Sequence, residues 1–270
     1  MSCRALLLSL VMVGLQAAPP TFQKLGKGPG ILFIHGLGGN RSVWSGVAEE
    51  LARDHTVLSV DLPGSGGSPG PVVLEGRADF GAVARDLAAL VRKEGLAPCL
   101  VVGHSMGGPI GARAVLEDPT AFRGLVLVDS FLGPIPEAYL EPTAVALGAN
   151  AEQALRMFLG LMTAGQAQTS QVVTEALKVP VPSLQAYLRA MSLDPLAARQ
   201  AQLRLPVLQL AAGAREPDPD KEALRLAQFG FKHLPSFRLI HFPGARHWIM
   251  WDAPDAFLMV LRAFEAGLGR

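Results

Sequence analysis

The chain predicts an α/β fold: a mostly parallel central sheet with helices on both faces and a helical insertion near the middle. Three observations predict it. From Gly30 onward, short apolar runs alternate with amphipathic stretches, the pattern of parallel β-α-β units. One such run, Leu100-Val101-Val102, leads directly into Gly103-His104-Ser105-Met106-Gly107, a G-x-S-x-G turn followed by a helical pattern. Between about Phe131 and Leu203 the alternation stops, and helical segments punctuated by prolines read as an insertion packed over the main body.

Taken in order, Ile31-Leu32-Phe33-Ile34 reads as a strand, Trp44 to Arg53 as a helix and Thr56 to Val60 as the next strand. A helix from about Phe80 to Glu94 carries apolar Val83, Leu87, Leu90 and Val91 at helical spacing. The strand before Ser105 is followed by a helix through Ile110 to Glu117 and by the strand Leu125-Val126-Leu127-Val128. In the insertion, Leu155, Met157, Phe158, Leu161 and Met162, then Leu184, Tyr187, Leu188 and Met191, fit helices packing as a cap, about 131–203. Val207 to Ala212 resumes the sheet, Lys221 to Gln228 makes a helix, Phe237 to Phe242 a last strand, and Pro254 to Leu268 a terminal helix.

At 270 residues and 50% hydrophobic content, the chain is long enough for one sizeable core without a second domain. A net charge of +1 with no long charged run gives no electrostatic reason to expect nucleic acid or an acidic partner. The expected ligand is small and largely apolar, with no obligate protein partner evident. Cys3 and Cys99 are far apart and lack C-x-x-C or Cys/His spacing, so neither a disulfide framework nor a metal site is expected. Arg4 precedes an apolar run from Ala5 to Leu15 that ends near Ala17, Ala18 and two prolines. Residues 1–18 thus have the layout of a signal peptide, implying export to the periplasm or medium; an uncleaved membrane anchor and a cytoplasmic protein are the alternatives.

The chemistry centres on Ser105. A sharp strand-to-helix turn would hold it strained, its hydroxyl in a cleft, as a nucleophile requires. An ordinary hydroxyl needs a base as it attacks. Among the six histidines, His247, in the loop Pro243-Gly244-Ala245-Arg246-His247-Trp248 after the last strand, is the best placed. His55, His233 and His241 are not aimed at the catalytic edge, and the side chain of His104 should leave the turn on another side. A carboxylate must hold the imidazole. Glu216 follows the Val207 to Ala212 strand and is the first choice; Asp218, two residues on, and Asp129, which ends the preceding strand, are the alternatives. His35-Gly36-Leu37-Gly38-Gly39 suits an oxyanion hole, with the backbone N–H groups of Leu37 and Met106 as donors and His35 as a structural support.

With these positions assembled, the chain from about Gly28 to Gly269 resembles the α/β-hydrolase superfamily. The resemblance rests on His35-Gly36-Leu37-Gly38-Gly39, Asp61-Leu62-Pro63-Gly64-Ser65-Gly66-Gly67-Ser68, Gly103-His104-Ser105-Met106-Gly107-Gly108 and Pro243-Gly244-Ala245-Arg246-His247-Trp248. It implies the α/β-hydrolase fold over residues 19–270, with a helical cap, and a serine hydrolase acting on small esters through an acyl-enzyme, without cofactor or metal. Ser105 speaks against the dehalogenase and epoxide hydrolase branches, which the resemblance associates with an aspartate at that place. Arg246, where a small residue is usual, and Glu216, where aspartate is commoner, depart from the pattern. The same constellation would also serve a lactonase, a C–C bond hydrolase or a cofactor-free perhydrolase. A ligand receptor with a vestigial triad is the non-enzymatic alternative.

Overall fold

The computed structural model describes residues 20–192 and 195–268; the leader expected over residues 1–18, Cys3 included, lies outside them. In chain order the elements are β1 (Phe22–Leu25), β2 (Gly30–Ile34), α1 (Ser45–Leu51), β3 (Thr56–Val60), β4 (Val73–Leu74), β5 (Arg77–Ala78), α2 (Phe80–Lys93), β6 (Cys99–His104), α3 (Gly107–Glu117) and β7 (Phe122–Val128). Then come α4 (Glu137–Ala149), α5 (Ala151–Gly160), α6 (Gln166–Ala176), α7 (Val181–Ser192), β8 (Val207–Ala212), α8 (Pro219–Gln228), β9 (Phe237–Phe242), α9 (Ile249–Asp252) and α10 (Pro254–Ala266).

Seven strands form one sheet in the order β1-β3-β2-β6-β7-β8-β9, parallel throughout except for β1, which runs antiparallel to β3. Every residue of β2 and β6 is buried, both alternating sets of side chains included, so both faces of the sheet are covered. This is why those strands are continuous apolar runs. In contrast, β9 lies at an edge and alternates between partly buried and exposed positions. The chain leaves β2 for β3 on one side and later returns to β6 on the other. The loops that follow β2 and β6 therefore diverge, opening a crevice at the carboxyl edge where ligands of such sheets bind.

Two expectations shift. The first helix begins as a 3₁₀ turn, Arg41–Trp44, because Asn40 caps it by accepting the Ser42 N–H, and α1 follows from Ser45. In α5, Leu155 and Leu159 face inward one turn apart, which leaves Met157, on the opposite side, 68% exposed. Leu155, Leu184, Tyr187, Leu188 and Met191 are buried. The Tyr187 hydroxyl donates to the Pro63 carbonyl at 2.9 Å, and its ring packs on Phe80, so α7 is tied to the main body.

Candidate active site

Ser105 is the first residue beyond β6 and adopts the left-handed conformation, φ +51°. For a residue with a Cβ this costs roughly 1–2 kcal/mol, and only surrounding contacts can maintain it. Its N–H donates to the Val128 carbonyl at 3.0 Å, and its own carbonyl accepts from the Gly108 N–H at 3.0 Å and the Ser130 hydroxyl at 2.6 Å. Close approach needs glycine on the far side of the turn: a Cβ at Gly107 would overlap the Ile34 carbonyl oxygen and lie 2.7 Å from that of His35.

His247 is held by both of its backbone groups. Its N–H donates to the Met162 carbonyl in the α5–α6 connection at 3.1 Å, and its carbonyl accepts from His104 Nε2 at 3.0 Å. Its Nδ1 lies 2.6 Å from Asp129 Oδ2. An ionised carboxylate only accepts, so Nδ1 donates, and in the neutral form of the ring Nε2 keeps its lone pair. Asp129 is the first residue beyond β7 and is also left-handed, φ +42°. Its N–H donates to the Leu210 carbonyl, and its Oδ1 accepts from the Ala212 N–H at 3.0 Å. Burial works to raise the carboxyl pKa, but the hydrogen bond and charge of His247, with the Ala212 N–H, outweigh it and hold the group below its ordinary value.

The first-choice carboxylate is therefore corrected: Asp129, not Glu216, meets His247. Glu216 turns its carboxylate to the N–H of Asp218 at 3.1 Å, and Asp218 caps α8 by accepting from Asp220 and Lys221. The loop after β8 ends in helix-capping chemistry, which draws both acids away. Neither of them lines the cavity that contains Ser105, Asp129 and His247.

That cavity measures about 570 Å³ and is walled mainly by apolar side chains from both the main body and the insertion. Phe158, Leu161, Met162 and Met191 come from the insertion; Leu161, although it reaches the rim, is 77% exposed. Leu37 lines the cavity, and Met106 begins the turn into α3. Neither backbone N–H of this pair has an acceptor among the described residues. His35 supports the loop: its Nε2 accepts the Leu62 N–H at 2.9 Å and its Nδ1 donates to the Gly36 carbonyl at 2.8 Å. Burial pushes its pKa down to about 4. Burial, then the neighbouring His247, pushes His104 well below the ordinary histidine value, so it donates as a neutral ring.

Sequence reasoning passed over Ser130 and the backbone role of His104. Ser130 had a signal, a hydroxyl directly after Asp129 at the end of an apolar strand. Arg246 takes a definite place: its N–H donates to Asp252 of α9 and its guanidinium to the Leu161 carbonyl, so the histidine loop is tied to the insertion through the Arg246 side chain and the His247 N–H. Among the described residues, no group of three His, Cys, Asp or Glu side chains converges as metal ligands would.

The chain is similar to several known proteins. A fluoroacetate dehalogenase of a Burkholderia species is 39% identical over 106 residues, 38% of this chain, and the match spans only 35% of that enzyme. The sn-1-specific diacylglycerol lipase of Mus musculus is 28% identical over 260 residues, covering 88% of this chain and 81% of that protein. The solved structure of a thermophilic esterase from Thermogutta terrifontis superposes with a TM-score of 0.78 at 21% identity, over 93% of this chain and 94% of that one. The sequence model of the alpha/beta hydrolase family matches residues 31–260, which includes the turn at Ser105, Asp129 and the loop at His247. The chain belongs to the alpha/beta hydrolase family.

Proposed function

We propose that this protein is a serine hydrolase that cleaves carboxylic esters of small, largely apolar substrates through an acyl-enzyme intermediate. The contact of Asp129 with His247 Nδ1 carries the reading, because it leaves Nε2 as a proton acceptor in the cavity that also holds Ser105. Ser105 Oγ attacks the ester carbonyl as His247 Nε2 takes its proton. Asp129 stabilises the imidazolium, and the N–H groups of Leu37 and Met106 receive the charge developing on the carbonyl oxygen. Collapse of this intermediate expels the alcohol, which takes the proton from Nε2 and leaves the acyl group on Ser105. Water, deprotonated by His247, then attacks the acyl carbon, releasing the acid and restoring the serine.

Between the dehalogenation and the ester chemistry that the relatives' names suggest, a serine nucleophile favours the ester. Displacement of halide by Ser105 would leave an ether, which has no carbonyl for water to attack, whereas acylation leaves an ester that the same machinery can hydrolyse. Among the relatives, the lipase and the esterase fit a serine here and the dehalogenase does not. The test is a series of p-nitrophenyl esters of increasing acyl length, with wild type and Ser105→Ala, and mass spectrometry of the quenched enzyme. Turnover should fall roughly 10³-fold or more in the variant, and an acyl adduct should map to Ser105. Undiminished turnover by Ser105→Ala overturns the nucleophile. If no ester is turned over by the wild type, the ester-hydrolase reading fails in favour of a C–C bond hydrolase or a binding role.

A further inference from the structure

We infer that Gln209 is a specificity-determining residue: its side-chain oxygen receives a hydrogen-bond donor, a hydroxyl or an amide N–H, on the part of the substrate entering the cavity arm beneath α8. The inference rests on the ester-hydrolase reading and deepens it. Gln209 sits in β8, in register with Leu127 of β7 and Leu239 of β9. On β9, Leu239 and His241 share a face, and His241 Nε2 bonds to Glu222 of α8 at 3.1 Å, so this face lies under α8. Gln209, the register partner of Leu239, is directed to the same side, 4% exposed, and lines the cavity.

Its amide has one satisfied end. Nε2 donates to the Ser130 carbonyl at 3.3 Å, and this orients the group, since the reversed amide would set one carbonyl oxygen against another. Oε1 is left with no hydrogen-bond partner among the described residues. Leu239, its register partner, and Phe131, Leu226, Phe229 and Phe231, which line the same cavity, carry no side-chain donor. Arg225, the charged residue of this arm, is engaged by Glu222 at 3.1 Å. An apolar arm with one uncommitted acceptor favours a ligand group that is mostly hydrocarbon and carries one donor. A purely hydrocarbon group would bury Oε1 unpaired, and a carboxylate would set like against like. The acceptor lies inward of Ala211 by two strand residues, roughly 7 Å along the strand, so the donor belongs on an extended group and not at the scissile carbonyl.

Ethyl esters of straight-chain acids bearing a single hydroxyl beyond C2 test this, each paired with the analogue carrying methyl in place of hydroxyl. Monoacetates of straight-chain diols, paired in the same way, cover entry of the alcohol part. Acid release is followed by titration at constant pH. At least one hydroxylated ester should exceed its methyl partner about 10- to 100-fold in kcat/KM, the discrimination expected when a buried acceptor is otherwise left unpaired. Gln209→Met should abolish that ratio; Gln209→Asn, which keeps an amide but withdraws it, serves if the methionine variant does not fold. A merely structural role, holding Ser130 through Nε2, would lower all esters alike and leave the ratio intact, which overturns the inference. Turnover of plain esters with no hydroxyl preference in either series also overturns it, whereas absence of any ester turnover strikes the underlying reading first.

Discussion

Replacing Asp129 by asparagine separates its chemical part from its structural one. The new Oδ1 can still accept the Ala212 N–H, so the anchor of the loop to β8 survives. The position facing His247 Nδ1 changes from an acceptor at 2.6 Å to an amide group, which loses its charge and, if its NH₂ faces the ring, drives the proton to Nε2. That tautomer cannot receive the proton of Ser105. For the charge alone, unit charges 2.6 Å apart in an effective dielectric of about 20 interact by about 6 kcal/mol, which corresponds to roughly 10⁴ in rate. The Asp129 side chain is 28% exposed, and solvent screening brings the expected loss of kcat to about 10³–10⁴-fold. Initial rates on the best ester, with thermal unfolding of the same samples, measure both parts. kcat should collapse with Tm shifted by only a few degrees, while Glu216→Gln stays within about 2-fold of wild type because its carboxylate serves only the Asp218 N–H. An Asp129→Asn enzyme that keeps a tenth of its kcat, or a 100-fold loss in Glu216→Gln, refutes the assignment.

Acid should destabilise the fold through His35 before it reaches most carboxylates. Its pKa is 6.5 when unfolded and about 4 in the native loop, so stability is full above pH 6.5 and is lost as pH falls, by about 3 kcal/mol near pH 4. His104 acts in the same direction. Urea denaturation between pH 7 and 4.5 reads the slope, and a slope undiminished in His35→Gln would dismiss His35 as its source. At the turn, Gly107→Ala should cost about 3 kcal/mol, because the added methyl meets the backbone carbonyls of Ile34 and His35 and no side chain can give way. Gly46→Ala, in α1 with open space around it, should be neutral or stabilise by up to about 1 kcal/mol; equal Tm values for the two variants would contradict the steric account.

The strands read correctly from the sequence are those whose environment admits one kind of residue. β3, β8 and β9 span the expected residues, and β2 and β6 announce themselves as apolar runs because both their faces are covered. β1 escaped because Phe22-Gln23-Lys24-Leu25 is a partly exposed edge strand, defined by pairing with β3 and not by its own pattern. The two-residue strands β4 and β5 carry too few side chains to show a period.

The choice among carboxylates turned on a quantity no local pattern contains, the register between strands. His104 pairs with Val128, so Ser105 and Asp129 are the first residues off adjacent parallel strands at the same level of the sheet. Both take a positive φ there, and each is held by a backbone bond to the next strand over, Ser105 N–H to Val128 and Asp129 N–H to Leu210. Glu216, four residues beyond the end of β8, has no such constraint, and Asp218-Pro219 reads as a helix cap and first turn, a signal that this loop is committed elsewhere. Gln209 makes the same point from the opposite direction. It stands out in Val207-Leu208-Gln209-Leu210 as the polar residue of an apolar run, yet only the packed sheet reveals that its nitrogen is engaged by Ser130 and its oxygen is not. An anomaly of residue type is legible in one chain, whereas an unsatisfied atom exists only once its neighbours are in place.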